Sequence, residues 1–184
     1  MNNKLILVAG AARSGKSEFA EMLAAKSDRE IVYVATAKVD LTDKEWQARI
    51  AQHQQRRPKS WSTMAICDRT LSEYVRQANS NQCLLIDSLG TWIANFLELD
   101  PSAWEKVNND LLASLQVSKG QIILVGEETG WGVVPAYPMG RLFRDRLGYI
   151  IRQIGNIADT TYLVAGGHVL NLSVLGEPLS NYEI

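Results

Sequence analysis

The chain has 184 residues, of which 46% are hydrophobic, and its formal net charge at pH 7 is -1. A chain of this length buries about 70% of the surface that its unfolded form exposes, so we expect one folded domain over residues 1–184 with a substantial core. The near-zero net charge provides no overall basic field, so DNA or RNA is not an expected partner.

The cysteines and the first residues bear on the cellular compartment. Cys67 and Cys83 lack the C-x-x-C spacing and lie in apolar surroundings, which is typical of reduced thiols in a cytosolic protein. The stretch "MNNKLILVAGAA" resembles a signal peptide, but its short apolar run continues directly into "GAARSGKS". No run approaches the roughly 20 apolar residues of a membrane span. We therefore expect a cytoplasmic protein with no membrane span.

Short apolar runs alternate with longer amphipathic segments along the chain. Runs this apolar are typical of strands that are covered on both faces, as in a mainly parallel α/β sheet. The predicted strands are residues 5–9, 31–35, 83–87, 122–126 and 161–165, and a last strand over 168–174 is expected to pair with 161–165 through a turn at Gly166 and Gly167. The predicted helices are residues 16–27, 43–57, 68–79, 101–118 and 139–157.

The motif "GAARSGKS" matches the phosphate-binding pattern G-x-x-x-x-G-K-[ST], and it has the required strand before it and helix after it. Glycine lets backbone N–H groups close around phosphate oxygens, and the new helix points its positive end at the same anion. We expect Lys16 to reach the β- and γ-phosphates and the Ser17 hydroxyl to bind Mg²⁺. The predicted nucleotide-binding loop consists of Gly10, Ala11, Ala12, Arg13, Ser14, Gly15, Lys16 and Ser17.

The segment "ARIAQHQQRRP" holds His53, one of two histidines in the chain. In a helix over 43–57, His53 shares a face with Trp46 and Ile50. Three arginines lie one helical turn from it, namely Arg49, Arg56 and Arg57. Their charges disfavour an imidazolium and leave a lone pair that suits attack on phosphorus. On the residues alone, however, a structural histidine is the more common arrangement.

Asp87 closes the apolar run "CLLID" and is the candidate carboxylate for Mg²⁺, since its strand would deliver it to the sheet edge that carries Lys16. The alternative is that Asp87 caps a helix that begins at Ser88. The Gly/Pro-rich stretch 126–140 follows a strand, where ligand loops are common, although a plain connection is the alternative. Arginines of the late helix, Arg141, Arg144 and Arg146, either reach phosphates or form a solvated face.

The motifs follow one another as "GAARSGKS", "YVATA", "DKEWQARIAQHQQRRPKSW", "LLIDSLGTWIANFL", "EETGWGVVP" and "GRLFRDRLG". This order resembles the bifunctional adenosylcobinamide kinase / adenosylcobinamide-phosphate guanylyltransferase family of cobalamin synthesis. The resemblance implies a P-loop NTPase with a RecA-like, mainly parallel sheet that is flanked by helices, assembled as a homotrimer. It implies that ATP or GTP phosphorylates adenosylcobinamide, a corrinoid, and that GMP from GTP then passes through a histidine to give adenosylcobinamide-GDP.

The residues in the matching positions follow from the same resemblance. His53 corresponds to the histidine that carries GMP, and covalent catalysis of this kind divides a nucleotidyl transfer into two displacements. Nucleotide contacts are implied for the P-loop and for Thr36, Ala37, Lys38, Gln54, Gln55, Arg56, Arg57 and Asp87. The chain departs from the family pattern at Ala65, Gly90, Glu127 and Ile151, where glutamate, threonine, asparagine and asparagine are common.

Two other classes of protein are compatible with a P-loop. The first is a small-molecule kinase in which His53 is structural and no guanylyl transfer takes place. The second is a nucleotide-dependent switch or a RecA-like filament module with no metabolite substrate. The sequence has no N-K-x-D motif for guanine and no basic strip suited to DNA, which argues against the second class.

Overall fold

The computed structural model describes residues 4–38, 42, 44, 47, 48, 51 and 57–181. Within them, seven strands form one sheet in the order β3-β2-β4-β5-β1-β6-β7. The strands are β1 Leu5–Gly10, β2 Glu30–Ala35, β3 Ser62–Ala65, β4 Gln82–Asp87, β5 Gln121–Glu127, β6 Thr160–Ala165 and β7 His168–Asn171. All neighbouring pairs are parallel except β6 with β7. The mainly parallel α/β sheet predicted from the apolar runs is therefore confirmed.

Helices cover both faces of the sheet. They are α1 Lys16–Ala25, α2 Thr70–Gln77, α3 Leu89–Ala94, α4 Pro101–Val117, α5 Pro138–Ile157 and α6 Leu172–Leu175, followed by a 3-10 turn at Leu179–Asn181. Four of the five predicted helices are confirmed to within two residues at each end. The fifth, over 43–57, lies mostly outside the described residues.

Alternate residues of each central strand face opposite layers, as the two-residue repeat of a strand requires. In β1, Leu5 and Leu7 belong to a large core with α2 to α5, whereas Ile6 and Val8 belong to a smaller core beneath α1. This double burial explains why β1 is apolar throughout and why its apolar run predicts a strand.

Three elements differ from the prediction. Strand β3 has no apolar run because it is a short, exposed edge strand. Helix α3 begins at Leu89, one residue after the start at Ser88 that the alternative role of Asp87 implies. The turn at Gly166 and Gly167 is confirmed, since both glycines have positive φ and β7 pairs with β6. The predicted strand over 168–174 is nevertheless wrong in its second half, where α6 begins at Leu172.

Arg146 is buried in the large core, so neither expectation for the late arginines holds at this position. Its Nη1 donates to the Phe96 carbonyl at 2.8 Å and its Nη2 donates to the Leu99 carbonyl at 2.7 Å. The guanidinium also lies 4.9 Å from the ring centre of Trp104. Arg146 therefore satisfies carbonyls that follow α3 and joins α5 to the start of α4.

No helix in the described part of the chain is long and apolar enough to cross a bilayer.

We expect Arg146→Met to lower the free energy of unfolding by about 2–4 kcal/mol, because the apolar side chain fills the space but leaves two carbonyl groups without donors. Urea titration followed by circular dichroism measures the loss. Arg144→Met is the matched control, since among the described residues Arg144 forms an ion pair with the exposed Asp145, at 3.6 Å, and no hydrogen bond to a carbonyl group. Equal effects of the two substitutions would show that the Arg146 contacts contribute nothing to stability.

Candidate nucleotide site

The loop between β1 and α1 has the backbone conformation of a phosphate-binding loop. Gly15 adopts φ 92°, a left-handed conformation that glycine enters without strain, and Arg13 adopts φ 59°. The Ser14 N–H donates to the Ala11 carbonyl at 3.2 Å and closes a turn inside the loop. Helix α1 begins at Lys16, so its first N–H groups and its positive end face the loop.

Position 10 has no room for a side chain, so it requires glycine. A Cβ at this position would lie 2.6 Å from both the Ser14 Oγ and the Val164 carbonyl oxygen, closer than real contacts allow. The loop therefore folds tightly against the end of β6.

The Lys16 side chain is buried and turns back over the loop. Its Nζ donates to the Ala11 carbonyl at 3.2 Å. The Ser14 Oγ is buried and has no hydrogen-bond partner among the residues that the structure describes. A buried ammonium group and an unsatisfied hydroxyl beside a helix N-terminus suit an anion with several oxygen atoms, such as a polyphosphate.

Strand register brings the other polar residues to the same edge of the sheet. Gly10 pairs with Glu127 between β1 and β5, Asp87 pairs with Val125 between β4 and β5, and Ala35 pairs with Asp87 between β2 and β4. The carboxyl ends of β1, β2, β4 and β5 thus lie side by side. Asp87 stands at the edge that carries the P-loop, as the sequence predicts.

Asp87 does not cap α3. The cap is Ser88, whose hydroxyl accepts from the Thr91 N–H, while the Thr91 hydroxyl accepts from the Ser88 N–H. Asp87 instead accepts a hydrogen bond of 3.0 Å from the Tyr33 hydroxyl. Asp87 is therefore held by Tyr33 of the neighbouring strand. Ser88, and not Asp87, caps the helix.

Tyr33 connects Asp87 to the end of the histidine segment. Burial, and then the negative charge of Asp87, raise the pKa of the Tyr33 phenol far above its ordinary value, so the hydroxyl stays a donor. The Arg57 guanidinium lies 3.7 Å from the centre of the Tyr33 ring, and its Nη1 donates to the Thr63 Oγ1 at 3.1 Å. Arg57, predicted to contact nucleotide, therefore lies one side chain away from Asp87.

Thr36 is fully buried, and its hydroxyl serves the turn between β4 and α3. It donates to the Ser88 carbonyl at 2.7 Å and accepts from the Ser88 N–H at 2.8 Å. Ala37 is half-buried and Lys38 is exposed. The predicted nucleotide contacts after β2 thus lie at the same edge of the sheet as the P-loop. The Thr36 hydroxyl, however, already forms hydrogen bonds with backbone groups of Ser88.

Glu127 ends β5 and is a functional candidate that the motif analysis did not name as a site residue. Its carboxylate accepts from the Ser88 hydroxyl and, at 2.9 Å, from the Gly90 N–H. Burial raises the pKa of this carboxyl group above its ordinary value, whereas the Ser88 hydrogen bond and the charge of Lys16 act in the opposite direction. Lys16 and Glu127 are therefore electrostatic neighbours within the site.

The central part of the histidine segment lies outside the residues that the structure describes. His53, Gln54, Gln55 and Arg56 lie outside the described residues, and the nearest described residues on either side are Ala51 and Arg57.

Comparison with known proteins identifies the family. The model of the cobinamide kinase / cobinamide phosphate guanyltransferase family matches residues 6–172. The chain belongs to this family. It is 39% identical over 175 residues to the bifunctional adenosylcobalamin biosynthesis protein CobP of Pseudomonas aeruginosa, covering 94% of this chain and 98% of that protein. It is 34% identical over 178 residues to the bifunctional protein CobU of Escherichia coli, covering 89% of this chain and 96% of that protein.

A solved structure supports the fold class of this family member. An ATPase from the type III secretion system of pathogenic bacteria superimposes with a TM-score of 0.52 at 14% identity, covering 94% of this chain and 53% of the ATPase. The P-loop NTPase fold predicted from the sequence is thereby confirmed.

We expect Tyr33→Phe to lower the free energy of unfolding by about 1–2 kcal/mol, because it removes one hydrogen bond to a carboxylate and keeps the ring. Tyr33→Leu should lower the free energy of unfolding further, since the Arg57 guanidinium also loses the aromatic ring on which it packs. Thermal and urea unfolding measure both losses. Tyr74→Phe is the control, because the Tyr74 hydroxyl has no hydrogen bond within the described residues. A Tyr33→Phe protein as stable as this control would contradict a stabilising Tyr33–Asp87 bond.

Proposed function

We propose that the chain phosphorylates the hydroxyl group of adenosylcobinamide with ATP or GTP and then transfers GMP from GTP to the product, which gives adenosylcobinamide-GDP. The observation that carries this proposal is the family match over residues 6–172, on a chain whose P-loop and acidic strand end meet at one edge of the sheet. Both reactions displace phosphate groups of a nucleoside triphosphate, so both need an anion site.

The P-loop supplies that anion site. The N–H groups at the start of α1 and the Lys16 ammonium group hold the β- and γ-phosphates, and charge that develops on the transferred phosphoryl group meets fixed positive charge. In this protein the Lys16 Nζ is already turned toward the loop and bonded to the Ala11 carbonyl. It needs only to exchange that carbonyl for phosphate oxygen atoms.

The residues present also suit Mg²⁺. The ion prefers oxygen donors and is usually held by one or two side chains together with substrate phosphates. The Ser17 hydroxyl and the Asp87 carboxylate would hold it, with Asp87 oriented by the Tyr33 hydroxyl at 3.0 Å. When bound, the metal neutralises charge on the phosphates. Only one of these two protein donors, Asp87, is an acidic side chain, so such a site is compatible with the finding that the described residues contain no cluster of three acidic, histidine or cysteine side chains.

His53 carries the second reaction in this proposal. A neutral imidazole nitrogen attacks the α-phosphorus of GTP, a P–N bond forms, the bond from the α-phosphorus to its bridging oxygen breaks, and pyrophosphate leaves. A phosphate oxygen of the phosphorylated corrinoid then attacks the same phosphorus and breaks the P–N bond, which frees the histidine. The position of Arg57 over Tyr33, beside Asp87, supports a histidine segment that reaches the phosphates.

Homotrimer assembly and a cytoplasmic location stay predictions, the first from the family resemblance and the second from composition.

We expect GTP labelled at the α-phosphate to leave acid-labile, alkali-stable label on the wild-type protein and none on His53→Ala. His53→Ala should still transfer the γ-phosphate to adenosylcobinamide, because the P-loop is intact. Lys16→Ala should lose both reactions by about 100-fold or more, since it removes a cation from the transferred group. Denaturing gel electrophoresis and scintillation counting measure the label.

The same experiment separates the proposal from its rival, a small-molecule kinase with a structural histidine. Wild-type protein that folds, binds GTP and transfers the γ-phosphate but retains no α-label would establish that rival. Circular dichroism of each variant serves as the folding control.

A further inference from the structure

The Glu127 carboxylate forms a link between two strand ends. Glu127 is the last residue of β5 and pairs in register with Gly10, the first residue of the P-loop. Its side chain leans toward β4, where it accepts from the Ser88 hydroxyl and from the Gly90 N–H at 2.9 Å. One carboxylate thus joins the strand beside the P-loop to the turn that directly follows Asp87.

Gly90 provides the room for this carboxylate. A Cβ at position 90 would lie 2.8 Å from the Glu127 Cδ and closer still to Oε2. Gly90 lies in the first turn of helix α3 and its φ is not positive, so its backbone does not require glycine. What the glycine contributes is therefore space for Glu127.

The turn between β4 and α3 is held from both sides. Thr36, after β2, bonds to the Ser88 carbonyl and N–H groups, and Glu127, at the end of β5, bonds to the Ser88 hydroxyl. Asp87 lies one residue before this doubly held serine. Movement of the turn would therefore move the Asp87 carboxylate, which lies at the same edge of the sheet as the P-loop.

The hydrogen bonds of Glu127 decide what its carboxyl group can do. Burial raises the pKa of this group, and the negative charge of Asp87 acts in the same direction, whereas the Ser88 and Gly90 hydrogen bonds and the positive charge of Lys16 lower it. Both carboxylate oxygens of Glu127 are occupied by donors from the turn. The side chain is thus arranged to hold protein groups in position rather than to take a proton from substrate.

We infer that Glu127 is a positioning residue for the phosphate end of the nucleotide site, and that Gly90 is its necessary partner. The inference rests on the proposed function only in naming the reaction whose phosphate groups this site would bind. Gly90 and Glu127 both depart from the family pattern. The two departures depend on each other, because a residue larger than glycine at position 90 would occupy the space of the Glu127 carboxylate.

A double-mutant cycle in urea unfolding tests the steric part. Gly90→Ala should lower the unfolding midpoint in the wild-type background and in Glu127→Gln, which has the same size. In Glu127→Ala the obstruction is gone, so the same substitution should leave the midpoint unchanged or raise it. Gly148→Ala is the control, since a Cβ there meets nothing within 4 Å. Equal effects of Gly90→Ala in all three backgrounds would overturn the pairing.

Nucleotide titration and γ-phosphate transfer test the positioning part. Glu127→Ala should lower kcat about 10-fold and raise the Mg²⁺ concentration that gives half the maximal rate, with a smaller change in KM for the corrinoid. Glu127→Gln should recover part of the rate, because its amide oxygen still accepts one hydrogen bond. Glu105→Ala, on the exposed face of α4, is the matched control.

These results separate the inference from the proposed function. A Glu127→Ala protein with wild-type kcat and Mg²⁺ dependence would overturn the positioning role even if the enzyme performs both reactions. Conversely, a wild-type protein that binds nucleotide but transfers no GMP would refute the proposed second reaction, while the unfolding cycle and the Mg²⁺ dependence of nucleotide binding would still report on Glu127.

Discussion

Parallel pairing of β1, β5 and β4 is the constraint on which the rest of the site depends. Because the carboxyl ends of parallel strands meet at one edge, the register that pairs Gly10 with Glu127 and Asp87 with Val125 brings a phosphate loop and an acidic strand end together. The apolar residues of these strands serve both cores at once, so the free energy that stabilises the sheet also fixes the geometry of the site.

On this frame, hydrogen bonds from neighbouring strands determine where the charges lie. Tyr33 orients Asp87, while Thr36 and Glu127 hold Ser88 from opposite sides. These partners are largely buried, where an unsatisfied polar group is costly, so the turn has few alternative arrangements. A prearranged site of this kind suits two successive reactions on phosphate groups, because both need the same fixed charges.

Local patterns predicted the parts of this structure that depend on local residues. The apolar runs predicted the central strands because both faces of these strands are covered, and the glycines of the P-loop predicted its conformation. Contacts between distant residues could not be predicted in this way. Tyr33 reads as one more apolar strand residue, and the contact of Gly90 with Glu127 joins residues 37 positions apart. Arg146 follows neither alternative that the sequence offers, phosphate contact or a solvated face, because its partners are the distant carbonyl groups of Phe96 and Leu99. The role of His53 stays a prediction from the family resemblance.

The most direct test of the account is a crystal structure of the protein with Mg²⁺ and a non-hydrolysable GTP analogue. The account predicts that the β- and γ-phosphates lie within hydrogen-bond distance of the Lys16 Nζ and the first N–H groups of α1, with the metal between Ser17 and the Asp87 side of the site. Lys16 would have exchanged the Ala11 carbonyl, now 3.2 Å away, for phosphate oxygen. Triphosphate bound away from the P-loop, with Lys16 and Asp87 unchanged, would contradict the account.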